Sequence, residues 1–217
     1  MRILVKYPTK GRGLKAVQTI KGYYDNAKDN SNITYLVSVD IDDVTMKKAK
    51  EMLPFATVIE DRSTSKIHAC NRDIDKIAEP WDILVLASDD MICEKEGWDN
   101  YLRTAMDSCF PDTDGVLWFN DGFVGNKLNT MSILGKKYYE RFNYIYHPSY
   151  KSLFSDNEFM EVADKLKKQR YFEMVLFRHQ HPANTNEAAN DATYRFNDKY
   201  YVEDKTNYFK RKISGFK

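Results

Sequence analysis

Two hydrophobic patterns alternate along the first 120 residues of the chain. Short apolar runs rich in β-branched residues predict strands, and apolar residues three or four positions apart predict helices. The predicted strands cover residues 3–5, 33–39, 57–59, 81–87 and 115–119. The predicted helices cover residues 14–28, 44–53, 64–78 and 97–109. This alternation is typical of βαβ units, in which right-handed crossovers build a mostly parallel sheet.

The pattern becomes irregular after residue 120, where aromatic residues accumulate between positions 142 and 154. We predict a charged helix over 161–170, a strand over 171–177 and a polar tail with helical segments over 186–213. No repeat, low-complexity linker or sharp change of composition marks a domain boundary. The sequence therefore predicts a single α/β domain over residues 1–217, in three parts: 1–120, 121–185 and 186–217.

Composition and charge narrow the class of protein. The 217 residues are 42% hydrophobic and 30% charged, which is typical of a folded globular domain rather than a disordered chain. The 33 basic and 32 acidic residues give a net charge of +1, which excludes a global positive field that holds nucleic acid without specific contacts.

Cysteine content and apolar run length indicate the compartment. The three cysteines are an odd number and form no C-x-x-C pair, which predicts reduced thiols in a cytoplasmic protein. The longest fully apolar run is about five residues, far short of the roughly 20 that span a bilayer. We therefore expect neither a signal peptide nor a transmembrane segment.

Polar side chains follow each of the first four predicted strands, at residues 7–12, 40, 61–63 and 88–90. Ligands of open parallel sheets bind at the carboxyl ends of the strands, so four polar ends in series predict a binding site at this edge. The G-x-G-x-x-G dinucleotide motif and the G-x-x-x-x-G-K-[ST] phosphate loop are both absent. The phosphates of a bound nucleotide would therefore need another source of positive charge.

A divalent cation held by Asp89 and Asp90 is the best candidate for that charge. The two residues follow the apolar run ILVLA and Ser88, at the tip of a buried strand. Carboxylates are the ligands that Mg2+ and Mn2+ prefer, and these ions commonly share their coordination with phosphate oxygens. A helix-capping or turn role for one of the two aspartates is the alternative.

Five segments in order along the chain resemble the glycosyltransferases of the GT-A fold, closest to the inverting family-two group. They are ILVKYPTKGR, LVSVDIDD, HACNRDI, DILVLASDDM and SDNEF. The resemblance implies a GT-A-like, mostly parallel Rossmann-type sheet with helices on both faces and an irregular, aromatic-rich acceptor region. It also assigns residues 1–120 to the nucleotide sugar, 121–185 to the acceptor and catalysis, and 186–217 to a C-terminal helical tail.

The resemblance implies roles for individual donor-binding residues. Asp90 corresponds to the metal ligand, and Asp40 to the acid that hydrogen-bonds uracil. Cys70 replaces an arginine of the family, so contact with the diphosphate either passes to Lys66 or Arg62 or is missing. Together the residues expected to bind the nucleotide sugar are Pro8, Thr9, Arg12, Asp40, Arg62, Lys66, Asn71, Ser88 and Asp89.

The downstream half carries the predicted acceptor chemistry. Asp156 in SDNEF aligns with the family's general base, although a helix-capping role for Ser155 or Asp156 is the alternative. His179 and His181 form an H-x-H pair, which places both rings on one side of an extended chain, as metal binding requires. We take His181 as the metal ligand, and the choice between the two histidines stays open.

The sequence therefore predicts a Mn2+- or Mg2+-dependent enzyme that moves a sugar from a UDP-sugar to an acceptor hydroxyl with inversion. UDP-glucose is the first choice of donor, and a glycan ranks before a modified nucleic acid as acceptor. The Lys- and Asn-rich, Gly-poor composition resembles phage or low-GC bacterial proteins. The basic and aromatic tail, with Lys205, Lys210 and Phe209, favours an anionic partner or a solvated helix.

Three other functions stay open from the sequence. A sugar-phosphate nucleotidyltransferase shares the fold but needs a glycine-rich loop after the first strand, of which TKGRGLK is a sparse version. A metal-dependent nuclease would combine Asp90 with Glu94, Lys95 and Glu96. A non-catalytic module that binds nucleotide sugar or carbohydrate is the third, if Asp156 only caps a helix.

Overall fold

The computed structural model describes residues 1–180 and 199–217. The strands are β1 Ile3–Thr9, β2 Ile33–Asp40, β3 Ala56–Asp61, β4 Ile83–Leu86, β5 Met91–Cys93, β6 Val116–Phe119, β7 Ile133–Gly135, β8 Gln169–Phe172 and β9 Phe177–His179. The helices are α1 Gly13–Asp25, α2 Met46–Ala49, α3 Lys66–Asn71, α4 Trp98–Cys109, α5 Lys136–Glu140, α6 Ser155–Lys165 and α7 Tyr201–Ile213.

A seven-stranded sheet in the order β3-β2-β1-β4-β7-β6-β8 organises the described part of the chain. The pairs β1–β2, β2–β3, β1–β4 and β6–β8 are parallel. Strand β7 runs antiparallel between β4 and β6. The predicted α/β class with a mostly parallel sheet is therefore confirmed. Strands β5 and β9 form a separate antiparallel pair in which Met91 lies opposite His179.

Helices cover both faces of the sheet because alternate strand residues point to opposite sides. On one face, Val5 and Tyr7 of β1 pack with α1 and with Trp98 of α4. On the other face, Leu4 packs with α3, α5 and α6, and Tyr208 of α7 belongs to the same cluster. Both faces of β1 and β4 are thus buried, which explains their continuous apolar runs.

Several element boundaries differ from the sequence-based expectation. The helix predicted over 161–170 begins at Ser155 and ends at Lys165, and the strand predicted over 171–177 separates into β8 and β9. The helix predicted over 64–78 is too long: α3 ends at Asn71, because Arg72 adopts an extended backbone (φ −71°, ψ 161°) and Asp73 a left-handed one (φ 72°) before a 3₁₀ turn over Ile74–Lys76. Left-handed backbone interrupts a helix.

A fully buried lysine lies in the centre of the sheet. Lys6 of β1 is 0% exposed, and its ammonium donates a hydrogen bond to the hydroxyl of Ser38 on β2. The Ser38 hydroxyl in turn donates to Asp73 Oδ2 at 2.6 Å, and Asp73 also pairs with Arg72. Burial lowers the pKa of Lys6 to about 7, although the negative charge of Asp73 opposes the shift.

This lysine should make stability depend on pH. Its pKa in the folded state is about 7, against 10.5 in a solvated chain, so between these values the unfolded state binds more protons. The free energy of unfolding should therefore rise with pH across that window, by up to about 1.4 kcal/mol per pH unit. Urea unfolding of the wild type and Lys6→Met at pH 7, 8.5 and 10 measures this contribution as the difference between the two. A difference that stays constant with pH would mean that the folded protein keeps Lys6 charged.

Candidate functional site

The carboxyl ends of β1 and β2 are joined by a close approach of the loops that follow them. The Gly11 amide donates to Asp43 Oδ2 at 2.8 Å, and the Gly13 amide donates to Thr45 Oγ1 at 2.9 Å. A Cβ at Gly13 would lie 2.2 Å from the Thr45 carbonyl oxygen. Glycine at position 13 is thus required for the contact, which sets the shape of this edge of the sheet.

The predicted base-binding residues lie at the mouth of this edge. Asp40 is 7% exposed; its Oδ2 lies 2.7 Å from Lys10 Nζ, and its Oδ1 accepts a hydrogen bond from the Ser63 amide at 3.1 Å. Pro8 is half-buried in β1. Thr9, the last residue of that strand, has a buried hydroxyl without a hydrogen-bond partner among the described residues. A buried hydroxyl of this kind is a group that a ligand can satisfy.

Asp89 connects β1 to the end of β4. Its Oδ2 lies 3.0 Å from Arg12 Nη1, and its Oδ1 accepts a hydrogen bond from the Tyr7 hydroxyl at 3.1 Å. Burial raises the pKa of Asp89, and the Arg12 guanidinium opposes that shift. Asp89 therefore orients the Arg12 side chain at the carboxyl ends of the strands.

Asp90 belongs to a line of three ionisable groups. Its Oδ2 lies 3.8 Å from His179 Nε2, and its Oδ1 accepts a hydrogen bond from the Ser88 hydroxyl at 2.5 Å. On the other side of the ring, His179 Nδ1 lies 3.2 Å from Asp121 Oδ2. The pairing of β5 with β9 fixes this geometry, since the Gln180 amide donates to the Asp90 carbonyl at 2.7 Å.

The charges of this line stabilise one another. Burial alone would raise the pKa of Asp90, but the neighbouring His179 and the hydrogen bond from Ser88 outweigh it and lower that pKa well below its usual range. Burial alone would lower the pKa of His179, but Asp121 and Asp90 outweigh it and raise that pKa to about 9. The imidazole is thus protonated at neutral pH. A metal ion that binds a ring nitrogen would displace that proton.

Asp121 is itself fixed in position by several hydrogen bonds, and it orients the imidazole ring of His179. The side chain is 3% exposed, and its Oδ1 accepts hydrogen bonds from the amides of Phe123 (2.9 Å) and Val124 (2.8 Å). Its Oδ2 accepts one from the Thr130 hydroxyl at 2.9 Å. Burial alone would raise the pKa of Asp121, but His179 and these donors outweigh it and lower that pKa well below its usual range. A carboxylate on the distal ring nitrogen fixes the orientation of an imidazole.

Asp156 occupies the first turn of α6. Burial raises the pKa of Asp156, and the positive charges of Lys66 and His179 both oppose that shift. Lys66 lowers the pKa of Asp90 as well. The residue at the N-cap of α6 is Phe154, with φ 60°, and no side chain caps the helix. The Asp156 Oδ1 does accept a hydrogen bond from the Asn157 amide at 2.9 Å, within the first turn, so the capping alternative for Asp156 stays open beside the role of general base.

Other predicted site residues lie apart from this cluster or serve the backbone. The Asn71 carboxamide donates to the Tyr146 carbonyl at 2.6 Å and accepts from the amides of Ile145 and Tyr146 at 3.0 Å, so it holds the aromatic segment in place. Arg62 is exposed just beyond β3. His181, the metal ligand chosen from the sequence, lies outside the described residues, whereas His179 of the same H-x-H pair contacts Asp90.

The sequence analysis missed Asp121. This residue follows the fifth predicted strand, 115–119, after Asn120. The rule that ligands lie at strand ends points to Asp121 as well when it is extended from the first four strands to the fifth. The geometry does not support the nuclease alternative. Glu94 forms an ion pair with Arg178 at 2.8 Å, and Glu94, Lys95 and Glu96 line a surface recess that does not include Asp90.

The metal prediction was tested against the side chains present. In residues 1–180 and 199–217, no three His, Cys, Asp or Glu side chains form a group that could hold a metal ion on their own. Mg2+ and Mn2+ at phosphate sites commonly take one or two protein ligands, and substrate oxygens and water complete the shell. The Asp90–His179 pair therefore fits an ion that arrives with a phosphorylated ligand.

Comparison with known proteins gave matches among solved structures only. No family model matches the chain, and no curated protein sequence matches it. S. aureus TarS matches with a TM-score of 0.65 at 12% identity, over 87% of this chain and 63% of that one. The Pyrobaculum calidifontis mannosyltransferase PcManGT, in complex with GDP-Man and Mn2+, matches with a TM-score of 0.59 at 12% identity, over 80% of this chain and 55% of that one.

A third likeness covers both chains almost completely. The 4-diphosphocytidyl-2C-methyl-D-erythritol synthase of Anaerococcus prevotii matches with a TM-score of 0.57 at 11% identity, over 86% of this chain and 94% of that one. The present chain thus spans less than two thirds of the two glycosyltransferases and nearly the length of the synthase. At these identities a likeness speaks for the fold, and the strand order agrees with it. The chain has the GT-A fold.

Proposed function

We propose that this protein is a metal-dependent glycosyltransferase that moves a sugar from a UDP-sugar to an acceptor hydroxyl. The observation that carries the proposal is the cluster formed by Asp90, His179, Lys66 and Asp156. It combines a pair of potential metal ligands with a separate carboxylate whose pKa is raised. A bound metal ion would stabilise a diphosphate leaving group, and the carboxylate would deprotonate the acceptor.

The donor half would hold the nucleotide sugar at the edge formed by β1 to β4. Asp90 and His179 would hold Mn2+ or Mg2+, with His181 as a further candidate; the bound ion would neutralise charge on the diphosphate. Arg12 is oriented towards this edge by Asp89, and Lys66 adds positive charge beside Asp90. The buried hydroxyl of Thr9 offers a hydrogen bond to the ligand. Ser88 orients Asp90, and Asn71 positions the neighbouring aromatic segment.

Asp156 would act as the general base. Its carboxylate takes the proton of the acceptor hydroxyl while the oxygen attacks the anomeric carbon and the bond to the diphosphate oxygen breaks. A single displacement of this kind inverts the anomeric centre. Because burial raises the pKa of Asp156, the group is a stronger base at neutral pH than a solvated aspartate.

The choice of donor has support from the structural neighbours. TarS has been crystallised in complex with UDP and with UDP-GlcNAc, and PcManGT with GDP-Man and Mn2+. We keep UDP-glucose as the first donor and add UDP-GlcNAc as the second. A glycan is the proposed acceptor, with a modified nucleic acid as the second choice, and the cytoplasm is the proposed compartment.

Sugar-phosphate nucleotidyl transfer is the second candidate function. It is favoured by the likeness to the synthase, which this chain matches over 94% of that protein's length. Such an enzyme would join a nucleoside triphosphate to a sugar phosphate and release pyrophosphate. It would have no use for a general base on the acceptor side, which is the role proposed for Asp156.

A panel of nucleotide sugars tests the proposed function. Each of UDP-glucose, UDP-GlcNAc, GDP-mannose and CDP-glucose is incubated with the protein and Mn2+ without acceptor, and slow hydrolysis is followed by release of the nucleotide. We expect metal-dependent hydrolysis of a UDP-sugar. Release of pyrophosphate from UTP and glucose 1-phosphate, without hydrolysis of any nucleotide sugar, would favour the nucleotidyltransferase instead.

Recognition of the base should depend on Asp40. The uracil ring nitrogen donates a hydrogen bond, whereas the same nitrogen of neutral cytosine accepts one. Because a hydrogen bond to a charged group is worth roughly 1.5–3 kcal/mol, UDP should bind about tenfold or more tightly than CDP. Calorimetry with both nucleotides measures the ratio in the wild type and in Asp40→Asn, in which the ratio should fall towards one. Equal affinities in the wild type would remove Asp40 from the base-binding site.

In the described part of the chain, no helix has both the length and the apolar composition that membrane crossing requires.

A further inference from the structure

The C-terminal helix α7 holds the segment that leads into α6. Asp204 of α7 is 0% exposed, and its carboxylate accepts three backbone hydrogen bonds. The donors are the amides of Lys151 (2.9 Å), Ser152 (2.8 Å) and Leu153 (2.8 Å). One side chain more than fifty positions away along the chain thus satisfies three consecutive amides.

This anchored segment, residues 151–153, ends where α6 begins. Phe154 follows it with a left-handed backbone (φ 60°), and Asp156 is the second residue of the helix. The Phe154 ring packs against Tyr201 of α7 at 5.4 Å between ring centroids. The direction in which the chain enters α6, and therefore the place of the Asp156 carboxylate, is set by contacts with α7.

A second contact fixes the first turn of α6 itself. Arg211 of α7 binds Glu158 in a two-pronged ion pair, with Nε 2.7 Å from Oε2 and Nη2 2.8 Å from Oε1. The Tyr150 hydroxyl donates to the same Glu158 Oε2 at 2.8 Å. Glu158 lies two residues after Asp156, and planar two-pronged pairs restrict rotation as well as distance.

The anchored segment also touches the donor side of the site. The Ile67 amide donates to the Lys151 carbonyl at 3.3 Å, which connects the segment to the start of α3 beside Lys66. A single short stretch of backbone therefore connects α3, α6 and α7. Displacement of this stretch would move Asp156 relative to Lys66 and Asp90.

We propose that Asp204 and Arg211 are positioning residues, through which α7 holds Asp156 at the distance and angle that proton abstraction requires. The proposal rests on the proposed function, in which Asp156 is the general base. It divides the site into two parts: binding of the nucleotide by the β1 to β4 edge is independent of α7, and turnover depends on it.

The test uses Asp204→Asn in the full chain, with UDP-glucose and Mn2+ as the probe. The carboxamide keeps the shape of the side chain, but its amino group cannot accept a hydrogen bond from a backbone amide. A displacement of about 1 Å at a reacting group costs up to about 100-fold in rate, so kcat for hydrolysis should fall about 10- to 100-fold. The KM for UDP-glucose and the Kd for UDP should stay within about twofold of the wild type.

Asp99→Asn is the matched control. Asp99 is also a 0% exposed aspartate on a helix, and its carboxylate accepts hydrogen bonds from the amides of Lys28 (2.7 Å) and Asp29 (3.1 Å). The loop that Asp99 binds, with Lys28 and Asp29, precedes β2. It therefore lies at the amino ends of the strands, whereas the site lies at their carboxyl ends. Both variants should lower Tm, and Asp204→Asn alone should lower kcat in the folded protein.

Each outcome decides one proposal. An active wild type whose Asp204→Asn variant keeps the wild-type kcat, or loses it only as far as Asp99→Asn does, overturns the positioning role and leaves the proposed function in place. A wild type that hydrolyses no nucleotide sugar overturns the proposed function and the positioning role with it. If Asp204→Asn fails to fold, Arg211→Lys provides the second variant. It keeps the charge but loses the two-pronged pair, and an unchanged kcat there counts against the proposal.

Discussion

Replacement of Asp156 by asparagine is expected to lower turnover about 10²- to 10⁴-fold, which is the usual contribution of a positioned general base. The carboxamide is almost the same size as the carboxylate and cannot take a proton from the acceptor. UDP affinity should stay unchanged, because the donor-binding residues lie on the β1 to β4 edge. The rate of UDP-glucose hydrolysis with Mn2+ measures turnover, the Kd for UDP measures nucleotide affinity, and the Tm measures stability.

Asp164→Asn provides the control within the same helix. Asp164 is exposed near the end of α6, where its carboxylate accepts a hydrogen bond from Gln169 at 3.4 Å. Its replacement should leave kcat within about twofold of the wild type. A purely structural Asp156 would give another result: the variant would lose about 0.5–2 kcal/mol of stability, as when a helix cap is removed, and would keep its activity at low temperature.

The stereochemistry of the product checks the same mechanism independently. Single displacement at the anomeric carbon requires the product to have the opposite anomeric configuration to the donor. Proton NMR of the sugar released in the first minutes, before mutarotation, reports that configuration. Retention would contradict a mechanism in which Asp156 acts only as a base.

Loss of the Asp90 carboxylate should abolish the metal-dependent part of UDP binding. Asp90 and His179 are the proposed metal ligands among the described residues, and Asp90→Asn removes the negative one. Wild-type UDP affinity, measured by calorimetry, should be higher with Mn2+ than with EDTA. In Asp90→Asn the affinity should be low and the same in both conditions, since an ion that shares phosphate oxygens needs a charged protein ligand.

Asp107→Asn serves as the control for charge alone. Asp107 is exposed on α4, and its replacement changes the net charge by the same amount. This variant should keep the full response to Mn2+. Equal UDP affinity of the wild type in Mn2+ and in EDTA would remove the metal from the proposed mechanism.

The β1 to β4 edge, the proposed donor site, could be predicted from the sequence because its signals are local. Strands β1, β2 and β4 are apolar runs followed at once by polar residues, and parallel pairing brings their ends to one edge. Asp40, Asp89 and Asp90 were found by that rule alone. The partners of these residues are harder to predict from the sequence, since the ion pair between Arg12 and Asp89 joins residues 77 positions apart.

The acceptor half could be predicted only in part. Strands β5, β7 and β9 have three residues each, which is too short for an alternating pattern to appear. The contact of His179 with Asp121 joins residues 58 positions apart and depends on the pairing of β9 with β5. No local pattern could distinguish His179 from His181, or show that Asn71 would bind the backbone of residues 145–146.

The pairing of β5 with β9 has a consequence for the order in which the molecule is completed. Parallel strands β1 to β4 come from the first half of the chain, whereas Met91 meets His179 only after a long loop has closed. Closure of long loops costs chain entropy, and contacts between distant residues form slowly. During synthesis, too, residue 179 leaves the ribosome well after β4. A newly made chain should therefore form the β1 to β4 edge before His179 reaches Asp90, and under the proposed function tight metal binding would then report that folding has finished.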